Sequence, residues 1–196
     1  GVEVPLPSIR AVAERIPPGA VVFVDEAYAE FSGASFIPEL AQYPNVVVGR
    51  TFSKAFGLAG LRIGAITGSR EALEPIRFAV PVYSVNIAAV AALPAALSDT
   101  SFLAMYLREV RESKALLYSA CDRLGLTYWK SSANFVLVRA GDRLDAVLSA
   151  AAARKIYLRD RSTEPGCEGC LRVATGIVEH TRQFIDVLEE VLCAAP

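Results

Sequence analysis

The sequence is poor in the residues that most often hold metals. It has one histidine, His180, and four cysteines, Cys121, Cys167, Cys170 and Cys193. Cys167 and Cys170 form a C-x-x-C in "PGCEGC", but a zinc site of this kind needs a second pair at matching spacing. None is present, and His180 could add one ligand at most. Nor does the motif open a helix after a strand, as a redox pair would. A turn with two reduced thiols is the expectation, and no metal is expected. Runs of one charge are also lacking: 20 basic and 21 acidic residues give a net −1, with no long basic block. Nucleic acid is therefore not an expected partner. The longest apolar runs are broken by prolines or polar residues and fall short of a bilayer span. The first residues, GVEVPLPSIR, lack the charged head and apolar core of a secretion signal. A cytoplasmic protein with no membrane partner is the expectation.

What is present is apolar sequence, 53% of 196 residues, enough for one large or two small domains. Residues 5–16 place Leu6, Ile9, Val12, Ala13 and Ile16 on one helical face, before Pro17, Pro18 and Gly19. "AVVFVDE", "NVVVGR" (45–50) and "RIGAITG" (62–68) read as strands buried on both faces, as in a parallel sheet. This half is expected to be α/β. After Pro81 the pattern changes. Residues 85–97 and 100–124 read as helices, the second ended by Gly125. "LTYWK", "ANFVLVR", a helix at 143–154, "IYLRD", "CLRVAT" and a helix at 179–193 follow. That order describes a smaller α+β domain, with the boundary near residues 85–100, giving domains of 1–90 and 91–196.

The stretch "TFSKAFGLAGLRIG" (51–64) raises the chemical question. In open α/β sheets, ligands bind beyond the carboxyl ends of strands. Asp25 and Lys54 both fall at such ends. Tyr28 follows Asp25 by three residues, Thr51 and Ser53 flank Lys54 with hydroxyls, and Arg62 adds a fixed charge. Gly57, Gly60 and Gly64 are expected to let the backbone turn closely around them. Together these groups suit pyridoxal 5'-phosphate. A lysine bonds its aldehyde, an acid keeps its pyridine nitrogen protonated, and a phenol donates to its ring oxygen. Hydroxyls and a guanidinium hold its phosphate.

The motifs "VVFVDEAYAEF", "RTFSKAFGLAGLRIG", "SSANFVLVR" and "RDRSTEPGCEGCLRVATG" resemble fold-type I pyridoxal-phosphate aminotransferases. Among these they look most like the histidinol-phosphate aminotransferases, from Gly1 to the last helix. The resemblance implies a mostly parallel large domain with helices, followed by a small α+β domain. It implies Lys54 as the Schiff-base lysine, Asp25 at the pyridinium, Tyr28 at the ring oxygen, and Thr51, Ser53 and Arg62 at the phosphate. Arg172 would bind the substrate's acidic group, with Arg159 assisting. Asn134 would either line the site or satisfy backbone, and Tyr83 and Asn86 would pack and cap. The implied reaction passes an amino group between glutamate/2-oxoglutarate and histidinol phosphate/imidazole-acetol phosphate in a homodimer. Aromatic amino acid transaminases and threonine-phosphate decarboxylases share the D-E-A-Y and S-K elements. A non-catalytic pyridoxal-phosphate-binding effector domain is a reading from another class, against which the RDRS–GCxGCLR stretch favours the biosynthetic enzyme.

The sequence departs from that pattern in length. Members of the family are nearly twice as long, and the part that these 196 residues lack is the N-terminal half. That half carries the small-residue phosphate cradle, the aromatic that stacks on the ring and the arm that reaches the partner subunit. The 196 residues alone are accordingly expected to be an incomplete enzyme.

Overall fold

The structure, a computed structural model, describes residues 1–193. It divides into two compact units, one spanning Glu3–Leu103 and the other joining Gly1–Val2 to the chain from Ala104 onward.

The first unit holds a three-stranded sheet. Helix α1 (Leu6–Ala13) precedes β1 (Val22–Asp25), and a one-turn helix α2 (Ala29–Ser32) leads toward β2 (Val46–Thr51). The third strand, β3 (Gly64–Gly68), is followed by helices α3 (Arg70–Ala79) and α4 (Ile87–Ser98). The order is β1-β2-β3, with β1 and β2 parallel and β2 and β3 antiparallel. One face carries Val22, Val24, Val46 and Val48 and meets Leu6, Ile9, Ala13 and Phe36 in a core. Residues directly opposite in the register share a face, so the other face carries Phe23, Asp25, Gly49, Thr51, Gly64 and Ile66.

Several expectations need correction here. Only β2 is buried as read, with Val46 to Gly49 all enclosed. Phe23 of β1 is 56% exposed and Ile66 of β3 is 45% exposed, because β1 and β3 are the two edges of this sheet and their second face is largely open. Strand β3 also runs antiparallel to its neighbour rather than extending a parallel sheet. Helix α1 stops at Ala13, three residues before the expected end. Ile16 precedes Pro17, and the residue before proline is pushed out of the helical region. Helix α3 was not expected; Ser69 caps it, its hydroxyl accepting from Ala72 N at 3.1 Å. Asn86 caps α4 by accepting from Ala89 N at 2.9 Å, as expected. Tyr83, expected to pack, is 96% exposed.

The second unit takes the long helix α5 (Thr100–Arg123) from Ala104 onward, and that helix ends at Gly125. That residue has φ 68°, and Leu126 N closes the turn on Cys121 O at 2.9 Å. Four antiparallel strands follow the order β4-β5-β7-β6: β4 (Thr127–Trp129), β5 (Phe135–Arg139), β6 (Arg159–Asp160) and β7 (Cys170–Ala174). Helices α6 (Leu144–Ala153) and α7 (Val178–Cys193) complete the unit. One sheet face, through Val136, Val138, Leu171 and Val173, packs with Leu117, Val147, Phe184 and Leu188. The element order is the one the sequence implies.

The four cysteines are free thiols. Cys167 and Cys170 share a turn, in which Cys170 N donates to Cys167 O at 2.9 Å. Among the described residues, no group of three or more His, Cys, Asp or Glu side chains is placed to hold a metal. No single described helix is long and apolar enough to cross a membrane.

Candidate active site

In the first unit, one sheet edge gathers the chemically interesting residues. The parallel strands β1 and β2 end there at Asp25 and Thr51. Antiparallel β3 begins there, Gly64 standing opposite Thr51. Asp25 and Thr51 are on the open face and line a shallow hollow with Phe23, Gly49, Gly64 and Ile66. A side chain at either central glycine would crowd the floor of this hollow. A Cβ on Gly49 would lie 2.4 Å from the Phe23 ring, and one on Gly64 would lie 2.6 Å from the Arg50 carbonyl oxygen. Of the three glycines singled out by sequence, Gly64 is needed for this close approach and Gly57 for its φ of 70°. Gly60 meets neither condition, since a Cβ there would enter open space.

The loop after each strand sets the remaining groups. Asp25 Oδ1 accepts from Ala27 N at 2.9 Å, a turn that leads directly to Tyr28. Lys54 is exposed, and its Nζ stands 6.0 Å from the Tyr28 ring centroid, within reach of a cation–π attraction. Ser53 N donates to Thr51 Oγ1 at 3.2 Å, so the Thr51 hydroxyl shapes the lysine loop as well as lining the hollow. Arg62 adopts the left-handed conformation, φ 52° and ψ 45°, which is strained for a residue with a side chain. Its Nη1 donates to Ala59 O at 3.2 Å. Asn86 Nδ2 donates to Leu61 O at 2.8 Å and anchors that corner. Asp25 and Thr51 thus share one hollow, and Lys54 and Tyr28 stand together. Ser53 and Arg62 belong to the same loop region, where the Ser53 amide donates to the Thr51 hydroxyl and the Arg62 guanidinium to the Ala59 carbonyl.

In the second unit, Arg159 and Arg172 are directly opposite each other on β6 and β7 and therefore share a face. Arg172 is half-buried, and its guanidinium carbon is 5.1 Å from the Phe135 ring centroid. Asn134 leads into β5, and its backbone carbonyl accepts from Thr175 N at 2.8 Å. The loop before it is held from α5. Lys114 Nζ donates to Ser131 O at 2.9 Å and Ala133 O at 3.1 Å, while Ser131 N donates to the Tyr118 hydroxyl at 2.9 Å. Burial, and then the nearby Arg111 charge, hold the Lys114 ammonium below the ordinary lysine range. Sequence reasoning passed over Lys114. The available signal was a lysine beside Ser113, interrupting the inner face between Val110 and Leu117.

A second omission lies beneath the hollow. Glu26 is buried, and its Oε2 accepts from Arg50 Nε at 3.0 Å, Arg50 Nη2 at 2.8 Å and the Ser35 hydroxyl at 2.9 Å. Its Oε1 accepts from Phe36 N at 2.5 Å. Arg50 Nη1 also donates to Glu30 at 3.2 Å. The signal in the sequence was an acid directly after an apolar strand, next to an arginine at the end of another.

A family model described as aminotransferase class I and II matches residues 1–188. The chain belongs to that family. Histidinol-phosphate aminotransferase of Symbiobacterium thermophilum is 42% identical over 94% of this chain and 51% of its own length. Histidinol-phosphate aminotransferase 1 of Cupriavidus pinatubonensis is 38% identical over 98% of this chain and 53% of its own. The crystal structure of histidinol-phosphate aminotransferase from Sinorhizobium meliloti, in complex with pyridoxal-5'-phosphate, superimposes with a TM-score of 0.85. It is 28% identical, covering 99% of this aminotransferase chain and 54% of that one. The fold is that of the fold-type I aminotransferases, and the chain spans about half the length of the curated relatives it matches.

Proposed function

We propose that this chain is part of a pyridoxal-phosphate-dependent aminotransferase acting between glutamate/2-oxoglutarate and histidinol phosphate/imidazole-acetol phosphate. The observation that carries this reading is the single sheet edge where Asp25 and Thr51 line one hollow and Lys54 stands 6.0 Å from the Tyr28 ring. The residues fit the cofactor: the hollow has a floor kept flat by Gly49 and Gly64, an acid at its rim and an amine in the adjoining loop. When bound, pyridoxal phosphate supplies an electron sink for chemistry at the amino acid's α-carbon.

The chain's own groups divide the remaining work. Asp25 would hold a proton on the pyridine nitrogen. The Tyr28 hydroxyl would donate to the ring oxygen. Thr51, Ser53 and Arg62 would hold the phosphate, Arg62 through the N–H donors that Ala59 O leaves free. Lys54 would be the covalent anchor, and its Nζ, once released, would carry the α-proton. Arg172, assisted by Arg159, would grip a carboxylate from glutamate or a phosphate from histidinol phosphate, since one guanidinium fork matches both. Asn134 would line the substrate side. Residues 1–90 would belong to the large cofactor domain and 91–196 to the small one. The complete protein would act on these small molecules as a cytoplasmic homodimer.

The test uses the complete protein loaded with pyridoxal phosphate. Borohydride reduction and peptide mapping should place the pyridoxyl group on Lys54, and an adduct on another lysine would reject the assignment. Amino transfer is then measured with glutamate, histidinol phosphate, phenylalanine and threonine phosphate. Preference for histidinol phosphate is the expected result. Faster turnover of phenylalanine, or carbon dioxide release from threonine phosphate, would move the protein to another branch of the family.

A further inference from the structure

Glu26 and Arg50 occupy an unusual place. Glu26 follows Asp25 in the chain, and Arg50, which itself lines the hollow, precedes Thr51. Side chains alternate along a strand, so the pair lies under the sheet edge while Asp25 and Thr51 stand on the open face. The Glu26 carboxylate receives four donors, two of them from one guanidinium fork. Glu26 N also donates to Gly49 O at 2.9 Å, extending the β1–β2 ladder past Asp25. An ion pair between a buried acid and a half-buried arginine adds little stability over an apolar pair of the same volume, so stability alone is a weak reason for one here. Two guanidinium donors on Oε2, with Phe36 N on Oε1, do fix the separation and rotation of the carboxylate.

We propose that Glu26 and Arg50 are positioning residues. Their pairing sets the spacing and tilt of the β1 and β2 ends, and hence the placement of Asp25 against the Thr51–Lys54 loop. The proposal rests on the functional reading above. The paired side chains act through the two backbones they join, and of the two residues only Arg50 also lines the hollow.

The internal control is a second forked pair in the same unit. Arg10 donates to Glu39 at 2.6 and 2.7 Å, joining α1 to the turn at Ile37–Glu39, with no chain neighbour in the hollow. If buried or forked charge served stability alone, breaking either pair would have the same consequences.

The experiment compares the complete protein with its Glu26→Gln, Arg50→Lys and Arg10→Ala variants. Four quantities are measured: apoprotein Tm, apoprotein amide exchange across residues 49–54, pyridoxal phosphate affinity, and the pH midpoint of the bound cofactor's absorbance. Glu26→Gln keeps the shape and removes the charge; Arg50→Lys keeps the charge and removes the fork. Both should speed amide exchange, weaken cofactor binding by about tenfold, the scale on which outer hydrogen-bond partners affect metal sites, and move the midpoint. Arg10→Ala should lower Tm and leave the affinity and midpoint alone. Should Glu26→Gln fail to fold, Arg50→Lys carries the test by the same criteria. Variants that lose only Tm, with affinity and midpoint as in wild type, overturn the proposal and leave the functional reading standing. A wild-type protein that takes no pyridoxal phosphate at Lys54 overturns both.

Discussion

Lys54 Nζ faces the Tyr28 ring at 6.0 Å, although the two residues leave different strands and are 26 positions apart. Parallel pairing of β1 and β2 brings them together, because it sends both chains out of the sheet at the same edge. Replacing Lys54 with alanine in the complete protein should abolish borohydride-trapped cofactor and turnover. Reversible binding of pyridoxal phosphate should survive, as measured by equilibrium dialysis. Covalent trapping in Lys54→Ala would assign the anchor elsewhere.

Asp25 tests the electronics. An amide in its place cannot hold a proton on the pyridine nitrogen. Asp25→Asn should therefore slow removal of the α-proton by roughly 10²- to 10⁴-fold, the usual range for a positioned acid–base group. Stopped-flow absorbance with α-deuterated glutamate reports that step. A rate near wild type would reduce Asp25 to an acid that merely turns the chain at Ala27.

Arg172 tests substrate sharing. Lysine keeps its charge and loses its fork, so Arg172→Lys should raise KM for glutamate and for histidinol phosphate by about 10- to 100-fold. That is the value of one hydrogen bond to a charged group. The shared-arginine reading requires both values to rise in steady-state assays, and a defect with one substrate alone contradicts it.

Leu117 tests the second core. It belongs to α5 and is fully enclosed in the core with Val136 and Val138 of the sheet face. Leu117→Ala should cost about 2–5 kcal/mol. Urea unfolding should show a lower midpoint with an unchanged slope, and cofactor trapping at Lys54 should persist in the variant.

Lys114 gives a pH dependence with a definite sign. Burial lowers its proton affinity in the folded state, so the unfolded chain binds the proton more tightly. Stability rises with pH wherever the unfolded state holds more protons. The gain falls in the alkaline range, between the depressed folded pKa and the ordinary lysine value. Wild type should therefore gain stability relative to Lys114→Met across that range. Chemical denaturation at several alkaline pH values checks this, and a parallel pair of curves contradicts it.

Local features of the sequence placed the candidate residues at strand ends better than they described the sheet. An acid closing an apolar run and a lysine in a glycine-bounded loop are each local patterns, so the strand-end positions of Asp25 and Lys54 could be read directly. Phe23 and Ile66 look as apolar as Val47, but their exposure depends on which strand stands at an edge, and composition cannot say that. An apolar run has no direction either, which is why β3 could be read as a strand but not as an antiparallel one. The Glu26–Arg50 and Arg159–Arg172 relationships needed register and strand order, which only tertiary pairing decides.

The consecutive acids Asp25 and Glu26 place a short arm above the sheet and a longer arm below it. Exchanging them would preserve mass, charge and every compositional index of the chain. The carboxylate on the open face would then reach about 1.5 Å farther, one carbon–carbon bond, and the one underneath would fall short of its arginine by the same length. The meaning of this dipeptide lies in its order: a permutation of two acids would spoil both sides of the sheet at once.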